Sequence, residues 1–467
     1  MKITNSYSNL PTNFYSKQKP DFISNPELIF FNQKLAKEIG FNSNEDLAQI
    51  FSGNKLLKNS QPISQAYAGH QFGHLVPSLG DGRAILLGEI ANKKNQIFDI
   101  VLKGSGRTVY SRNGDGKYPI GPAIREYLVS EAMHYLKIPT SRSLALIKTN
   151  EDVLREESLP GAILTRIASS HIRIGTFEYF AILGDLQNIK ILADYSIKRH
   201  YPECLKDKNP YLSFLKKVIN KQANLVASWM SVGFVHGVMN SDNTLICGQT
   251  IDFGPCAFLD EYEKDKVFSS IDRYGRYGFN NQKNIMPWNL ARLAEAILPL
   301  IDSDLKKAIK LAEIEINKFF KIFDKFYYQK MLQKIGILNF SEKDYKLIDD
   351  FLEILEKKKL DFTNSFRNLP HEIIDDNWHQ RWQKRIKQQN LSVEEIFNKM
   401  NKINPAAIPR NHLIAKAIAK AVNDDDFTYA EEFLKVLQKP FVRIENREEF
   451  YQQAKEDEKV RQTFCGT

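Results

Sequence analysis

The sequence is poor in cysteine and contains no long apolar run. Only four cysteines occur in 467 residues, and no two form a Cys-x-x-Cys pair, so we expect neither a disulfide scaffold nor a structural zinc site. No run approaches the roughly 18 apolar residues of a membrane helix. The N-terminal stretch MKITNSYSNLPTNFYSK lacks the apolar core of a signal peptide. We therefore expect an untargeted, cytoplasmic protein with no membrane partner.

The charge balance is only mildly basic. Lysine and arginine total 65 against 56 acidic residues, for a net charge of +9. This excess favours anionic ligands in general, but no dense basic stripe with interleaved aromatics is present, so we expect no nucleic-acid partner. Hydrophobic residues make up 43% of the chain, which is enough to build the cores of two or three domains.

The sequence also lacks the Gly-x-x-x-x-Gly-Lys-Ser/Thr motif, which excludes a P-loop. It has instead a turn that reads Gly80-Asp81-Gly82-Arg83. Glycines let backbone N–H groups approach phosphates, and an arginine adds a fork of donors. Because Asp-Gly is also a common hairpin turn, this motif alone does not distinguish a phosphate site from a plain turn.

Apolar periodicity predicts an α+β protein whose second half is mainly helical. Helices are predicted over 25–39, 122–136, 220–232 and 288–301, strands over 83–90, 98–103 and 245–247, and a basic flap without regular structure over 104–118. Lys/Glu-rich helices, broken at prolines, are predicted over 305–467.

The order of elements around Lys103 is that of the N-lobe of a protein kinase. A Gly-rich turn is followed by a strand that ends in Lys103, and then by a helix that carries Glu126 and Glu131. In kinases such a lysine contacts phosphate and pairs with a helix glutamate. The two glutamates lie about 140° apart around the helix. We favour Glu126 as the partner because it lies nearer the start of the helix.

A kinase-like catalytic loop lacks its usual base. Asn243 and the Asp252-Phe253-Gly254 motif supply the two metal ligands of such a site. Five residues before Asn243, where a kinase has the aspartate that accepts the hydroxyl proton, stands Val238. The chain is therefore either an inactive kinase or an enzyme with another base. Asp242 is the one carboxylate in the loop that can replace the missing group.

Further basic and histidine residues are candidates for the site. Asp115-Gly116 lies in the basic flap, and Arg166 and Arg173 suggest a clamp on a polyphosphate. His236 occupies the position of the structural histidine of kinase catalytic loops. His70 and His74 have the i,i+4 spacing of helical zinc ligands, but the neighbouring glycines argue against a helix there.

Taken together, the motifs resemble those of the selenoprotein O family, also called YdiU. They are YAGHQFG (67–73), LGDGRAILLGE (79–89), LKGSG (102–106), NGDGK (113–117), HGVMNSDN (236–243), DFGP (252–255), GRYGFNNQ (275–282) and WNLARLAEAI (288–297). The resemblance covers about 67–301, with weaker agreement towards the C-terminus.

The resemblance implies a protein-kinase-like, bilobal fold that transfers AMP rather than phosphate. ATP would bind in a flipped orientation, with Mg²⁺ or Mn²⁺, and AMP would pass to a Ser, Thr or Tyr hydroxyl of a protein with release of pyrophosphate. By resemblance, Asp242 would be the base, and Asn243 and Asp252 would hold the metal. The implied ATP-binding residues are Gly80, Gly82, Arg83, Lys103, Asp115, Gly116, Arg166, Arg173 and Asp252.

The predicted organisation has four parts. They are an N-terminal extension (1–60), a kinase-like N-lobe (61–150), a kinase-like C-lobe (151–330) and a C-terminal helical region (331–467). Many family members carry Sec or Cys near the C-terminus, so the resemblance implies a redox role for Cys465, without identifying its partner cysteine. An inactive ATP-binding scaffold and a small-molecule phosphotransferase stay open as alternatives.

Overall fold

The computed structural model describes residues 2–464, which form a large antiparallel sheet and many helices. The strands are β1 (Ile3–Thr4), β2 (Tyr15–Lys17), β3 (Glu27–Phe31), β4 (Ile63–Gln65), β5 (Gly69–Gln71), β6 (His74–Val76), β7 (Ala84–Ala91), β8 (Ile97–Lys103), β9 (Tyr118–Pro119), β10 (Arg142–Leu154), β11 (Ser158–Ala168), β12 (Phe234–Val235) and β13 (Ala257–Phe258).

The helices dominate the chain after the sheet. They are α1 (Gln33–Ile39), α2 (Leu47–Ser52), α3 (Ile120–Tyr135), α4 (Ile174–Ile182), α5 (Leu186–His200), α6 (Pro210–Ser231), α7 (Gln282–Ile301), α8 (Leu305–Ile316), α9 (Phe319–Lys334), α10 (Tyr345–Lys358), α11 (Phe362–Asn368), α12 (Asp376–Ile386), α13 (Val393–Ile403), α14 (Asn411–Asn423) and α15 (Thr428–Leu437). None of the helices within residues 2–464 combines the length and apolar character that a membrane crossing needs.

The main sheet has the strand order β2-β4-β7-β8-β11-β10-β3, with β1 paired to β7 and β9 paired to β11. Neighbouring strands run antiparallel. Two small hairpins, β5–β6 and β12–β13, lie outside it. The first sixty residues contribute β1, β2 and β3 to this sheet, and its last strands, β10 and β11, continue beyond residue 150.

Both faces of the sheet are covered, as the strand sequences require. Side chains alternate between faces along a strand. In β8, Ile100 and Leu102 join a core with residues of α1 and α2, whereas Val101 joins the main core that contains α3 and the later helices. The C-terminal helices α14 and α15 pack against α3, so the helical region also stabilises the sheet side of the molecule.

Several predicted elements are confirmed. The strands over 83–90 and 98–103 are β7 and β8, and the helix over 122–136 is α3, which begins two residues earlier. The helices over 220–232 and 288–301 are the C-terminal parts of the longer α6 and α7. Residues 104–117 have no helix or strand, as their polar, Gly-rich sequence predicted.

The helix predicted over 25–39 is wrong in its first half. Residues Glu27–Phe31 form β3, which pairs with β10, and the helix α1 begins only at Gln33. The N-cap is Asn32, since its side chain accepts a hydrogen bond from the Leu35 N–H. The apolar run Leu28–Phe31 gains more from pairing at the sheet edge than from an isolated helix turn, and this tertiary pairing overrides the helical pattern.

The strand predicted over 245–247 is also wrong. Leu245 makes only an isolated bridge to Arg173, and the Ile246 N–H bonds to the Ile172 carbonyl at 3.1 Å. Gly248 then turns the chain with a φ of 76°. The segment therefore pairs with residues before α4, and does not form a hairpin that leads into Asp252.

Candidate active site

A cavity of about 710 Å³ collects the predicted nucleotide and metal residues. Sheet residues, the flap after β8 and the loops around α4 and Asp252 form its walls. The predicted residues that line it are Gly80, Gly82, Arg83, Lys103, Asp115, Gly116, Arg166, Arg173, Asp242, Asn243 and Asp252. The structure thus brings together residues separated by up to 172 positions (80 to 252) in the sequence.

The flap folds directly onto the glycine turn. A Cβ atom on Gly80 would lie 2.2 Å from the Tyr110 ring, and one on Gly82 would lie 2.8 Å from the Tyr110 carbonyl oxygen. Thr108 Oγ1 donates to the Asp81 carbonyl at 2.7 Å, and Ser111 Oγ donates to the Gly82 carbonyl at 2.5 Å. Glycine is favoured at both positions because the Tyr110 side chain lies against Gly80 and the flap backbone lies against Gly82, and neither leaves room for a Cβ atom.

Lys103 and Arg166 share one buried carboxylate. Lys103 Nζ lies 2.7 Å from Glu126 Oε2, and Arg166 Nε donates to Glu126 Oε1 at 2.8 Å. Tyr118 adds its hydroxyl, 3.2 Å from Glu126 Oε2, and places its ring 4.5 Å from Lys103 Nζ. Burial opposes the charge on Glu126, but Arg166 and Lys103 outweigh it and lower the pKa of the carboxyl. The other candidate, Glu131, pairs with Arg142 instead.

Arg173 is fixed at the start of α4. Its guanidinium donates to the Asp242 carbonyl at 2.7 Å, lies 3.6 Å from Asp81 Oδ1, and stacks 4.3 Å from the centre of the Tyr67 ring. Its Nε is buried without a hydrogen-bond partner. A buried guanidinium with an unsatisfied donor at a cavity wall is suited to an anionic ligand.

At the outer end of the cavity, Asp115 accepts two hydrogen bonds from Arg155, at 2.7 and 3.2 Å. These bonds lower the pKa of the Asp115 carboxyl. The Asp115 side chain also accepts from the Lys117 N–H at 2.9 Å. Gly116 has a φ of 71°, and a Cβ there would lie 2.1 Å from the Gly106 carbonyl oxygen. Ion pairing and glycine geometry therefore hold the far end of the flap in place.

Asn243 and Asp252 supply oxygen atoms to the same cavity, where Asp252 Oδ1 lies 3.3 Å from Lys103 Nζ. Asn243 donates through Nδ2 to the Val238 carbonyl at 3.1 Å, which leaves its amide oxygen for another partner. Asp252 has a φ of 65°, a strained value of the kind that collects at functional sites. Burial would raise the pKa of Asp252, but Lys103, Arg166 and Arg83 lower it well below the ordinary range, so the carboxylate stays ionised.

These two residues fit a hard divalent cation. Within residues 2–464 no group of three or more His, Cys, Asp or Glu side chains is placed to hold a metal by itself. Mg²⁺ does not require such a cage, because it is usually bound by one or two oxygen side chains together with substrate phosphates and water. An amide oxygen and a permanently ionised carboxylate form a donor set of this kind.

The carboxyl of Asp242, which lines the cavity, has a raised pKa. Desolvation by burial raises its pKa to about 6, against the opposing effect of Arg173. Its Oδ1 is buried without a hydrogen-bond partner, and its Oδ2 accepts from Gln71 Nε2 at 3.3 Å. A carboxyl with this pKa at the wall of the cavity is suited to accept a proton near neutral pH.

His236 has a structural position. Its Nε2 donates to the Ile251 carbonyl at 2.9 Å, and its Nδ1 accepts from the Val238 N–H at 3.3 Å. Burial lowers the pKa of His236, which agrees with the neutral ring that these two bonds require. The histidine thus ties the loop of Val238 to the residue before Asp252, as predicted.

The pair His70 and His74 does not lie on a helix. The two residues lie on β5 and β6, where His70 pairs with Leu75 and His74 pairs with Gln71. His70 Nδ1 lies 2.5 Å from Glu178 Oε1. The sequence analysis did not predict that this hairpin contacts Asp242, which it does through Gln71 and Gly69. The motif YAGHQFG, in which two glycines flank His and Gln, was the feature of the sequence that pointed to this segment.

Cys465, the predicted redox residue, lies outside the described residues. The nearby Thr463 pairs with Ser269 and donates through Oγ1 to the Pro255 carbonyl at 2.5 Å. Cys256, next in sequence, is fully buried, and desolvation raises the pKa of its thiol to about 12. In the structure the Cys256 thiol is therefore protonated and inaccessible, which opposes its reaction as a thiolate.

The cavity combines a cationic cluster, two oxygen ligands and a carboxyl with a raised pKa, which defines a candidate transferase site for a phosphate-bearing ligand. Comparison with known families identifies the class more closely. The model of the family "Protein adenylyltransferase SelO" matches residues 1–438. The chain belongs to this family.

Curated relatives agree over the whole chain. It is 48% identical over 479 residues to the "Protein nucleotidyltransferase YdiU" of Clostridium perfringens, covering 100% of this chain and 97% of the relative. Proteins of the same name from Maridesulfovibrio salexigens and Bacillus cereus are 47% and 46% identical, and each comparison covers 100% of this chain and 98% of the relative.

Proposed function

We propose that this protein is a metal-dependent adenylyltransferase that transfers AMP from ATP to a Ser, Thr or Tyr hydroxyl of a protein substrate. The family supports the reaction class. The observation that carries the proposal for the site is the meeting, in one cavity, of the Lys103–Glu126–Arg166 cluster, the Asn243 and Asp252 oxygens and the Asp242 carboxyl. The proposed place of action is the cytoplasm.

The proposed architecture is kinase-like and bilobal. The antiparallel sheet with α3 corresponds to the N-lobe, and the helices from α4 to α9 correspond to the C-lobe. Two relationships support this correspondence. The lysine at the end of β8 pairs with a glutamate of the following helix, and Asp252 of the Asp-Phe-Gly motif lies 3.3 Å from the same lysine. Residues 1–60, which add β1, β2 and β3 to the same sheet, and residues 331–467 are the proposed additions to this core.

The ATP phosphates are proposed to bind to the cations of the cavity. The basic side chains that line it include Arg83, Lys103, Arg166 and Arg173. Arginine and lysine stabilise the negative charge that grows on the α-phosphoryl group and on the leaving pyrophosphate. The turn of Gly80 and Gly82 and the flap segment at Asp115 and Gly116 are proposed to enclose the nucleotide.

Asn243 and Asp252 are the proposed ligands of Mg²⁺ or Mn²⁺, since both present oxygen donors. When bound, the metal neutralises phosphate charge and helps to orient the leaving group. Asp242 is the proposed proton acceptor. The acceptor hydroxyl oxygen forms a bond to the α-phosphorus, the bond to the pyrophosphate oxygen breaks, and the hydroxyl proton passes to the Asp242 carboxylate.

A labelling experiment tests the reaction class. The protein is incubated with Mg²⁺ and a candidate protein acceptor, in parallel with ATP labelled at the α- or at the γ-phosphate. AMP transfer places only the α-label on protein. γ-Label on a small acceptor would instead identify a phosphotransferase, and no transfer of either label while ATP still binds would identify an inactive scaffold. Either of the last two outcomes overturns the proposal.

A further inference from the structure

The hairpin β5–β6, residues 69–76, lies across the loop that carries Asp242. The His70 N–H donates to Ser241 Oγ at 2.7 Å, and the Phe72 N–H lies 3.2 Å from Asn240 Oδ1. The Ala68 N–H bonds to the Gly175 carbonyl at 3.0 Å, which anchors the chain just before the hairpin to α4. Three backbone N–H groups thus hold this segment against the Asp242 loop and against α4.

A closed set of hydrogen bonds among His70, Glu178 and Ser241 strengthens the contact between the hairpin and the loop. Glu178 of α4 binds His70 Nδ1 through Oε1 and accepts from Ser241 Oγ through Oε2. The His70 ring also packs edge-on against Trp288, with 5.1 Å between ring centres. Because Ser241 directly precedes Asp242, these hydrogen bonds fix the backbone of the loop relative to the hairpin.

Within this frame, two hairpin residues determine how the Asp242 carboxylate lies. A Cβ atom on Gly69 would lie 2.4 Å from Asp242 Oδ1, so the absence of a side chain there makes the space that Oδ1 occupies. Oδ1 is buried and has no hydrogen-bond partner, whereas Asp242 as a residue lines the cavity. Oδ2 is therefore the oxygen left to face the cavity, and Gln71 Nε2 donates to it at 3.3 Å.

We propose that Gln71 is a positioning residue for the transfer reaction: its amide, held by the β5–β6 hairpin, orients the Asp242 carboxylate so that Oδ2 presents a free lone pair to the acceptor hydroxyl. The inference rests on the proposed role of Asp242 as the base. A carboxylate oxygen has two lone pairs, so one accepts from Gln71 while the other accepts the proton. Without the Gln71 amide, the Asp242 carboxylate is free to rotate about its Cβ–Cγ bond, and Oδ2 is no longer aligned with the acceptor hydroxyl.

The primary test is Gln71→Met, which keeps the length of the side chain and removes the donor. We expect kcat for AMP transfer to fall about 10- to 100-fold, the scale of a misaligned reacting group. The Kd for ATP should stay within about twofold, because Gln71 acts on the base and not on the nucleotide. His74→Ala is the matched control, since His74 pairs with Gln71 across the hairpin and is exposed. It should leave kcat, Kd and the melting temperature unchanged.

A double-mutant cycle separates positioning from mere structure. If Gln71 acts through Asp242, the Gln71→Met change should have little further effect on kcat in an Asp242→Asn background. The inference is overturned if Gln71→Met lowers kcat by the same factor in the parent and in the Asp242→Asn background. It is also overturned if Gln71→Met alone leaves kcat unchanged. Failure of the proposed base is a distinct result, because Asp242→Asn alone would then keep full activity. A second variant, Gln71→Glu, places a like charge beside Asp242 and should lower kcat further than Gln71→Met.

Discussion

Lys103 and Glu126 form an almost fully buried ion pair at the wall of the cavity, with 2.7 Å between Nζ and Oε2. The same glutamate also holds Arg166, so one carboxylate binds two cations that line the cavity. Its helix, α3, packs between the sheet and the C-terminal helices. The position of the cations therefore depends on packing from distant parts of the chain.

Replacing Glu126 by Gln should destabilise the protein and weaken ATP binding. The substitution leaves two buried cations with too little negative charge, a change that typically costs about 3–5 kcal/mol. Urea unfolding and ATP titration measure the two effects. The control is Asp194→Asn, which breaks the exposed pair with Lys190 and should cost at most about 1 kcal/mol. An equal loss in both variants would contradict the central role of Glu126.

Asp252→Asn should abolish metal-dependent transfer while preserving the fold. Asparagine tolerates the positive φ of 65° at this position, so the change removes the ligand charge without adding backbone strain. We expect no saturable response to Mg²⁺ or Mn²⁺ in a transfer assay. The protein should still fold, with a lower melting temperature, because Asp252 Oδ1 also pairs with Lys103 Nζ at 3.3 Å. Near-normal activity in Mg²⁺ would mean that Asp252 does not hold the metal.

Part of this site could be predicted from the sequence because its signals are local. The Gly80 turn, Lys103 at a strand end and Asp252 before Phe-Gly are each recognised by their immediate neighbours. The contacts of Gln71 with Asp242 and of Arg155 with Asp115 join residues 171 and 40 positions apart. The spacing of residues along the sequence does not predict such distant contacts.

The errors in the predicted fold have the same origin. The segment Glu27–Phe31 has helical spacing, but it becomes an edge strand because β10 offers unpaired backbone groups. Likewise, residues 245–247 were expected to form a strand, whereas Leu245 makes only an isolated bridge to Arg173. In both cases a partner segment distant in the sequence decides the structure, and a single sequence does not contain that partner's position.

Lys334 should make the stability of the protein depend on pH. The residue is 3% exposed at the end of α9, and its ammonium lies 4.4 Å from the ring centre of Phe366. Burial lowers the pKa of Lys334 to about 7, below that of a lysine in the unfolded chain. The unfolded state therefore binds more protons between pH about 7 and about 10, and the free energy of unfolding rises with pH across that range.

The variant Lys334→Met tests this linkage. It should be more stable than the parent by about 1–3 kcal/mol at pH about 6, an advantage reduced by the lost contact with the Phe366 ring. The advantage should shrink as the pH approaches about 10. Lys325→Met, at an exposed position of the same helix, should show no such trend. A difference between Lys334→Met and the parent that does not vary with pH would contradict the prediction.

The redox role of Cys465 stays a prediction, and Thr463 provides a matched test. Thr463→Val removes the hydroxyl that bonds to the Pro255 carbonyl and should cost about 0.5–1.5 kcal/mol of stability, with no change in the response to reductant. Cys465→Ala should instead abolish any difference in transfer rate between oxidised and reduced protein. If the parent and Cys465→Ala respond identically to reductant, Cys465 has no part in regulation.

The sharpest prediction concerns the base. Val238 occupies the position of the kinase aspartate, is 3% exposed, and cannot accept a proton. Asp242→Asn should slow AMP transfer by about 10²–10⁴, the usual contribution of a general base, while ATP still binds. Val238→Asp added to Asp242→Asn should not rescue the rate, because the acceptor hydroxyl is proposed to lie beside residue 242. Transfer rates and ATP affinities of the single and double variants decide the matter. A fully active Asp242→Asn protein, or full rescue by Val238→Asp, would show that the proton is taken elsewhere.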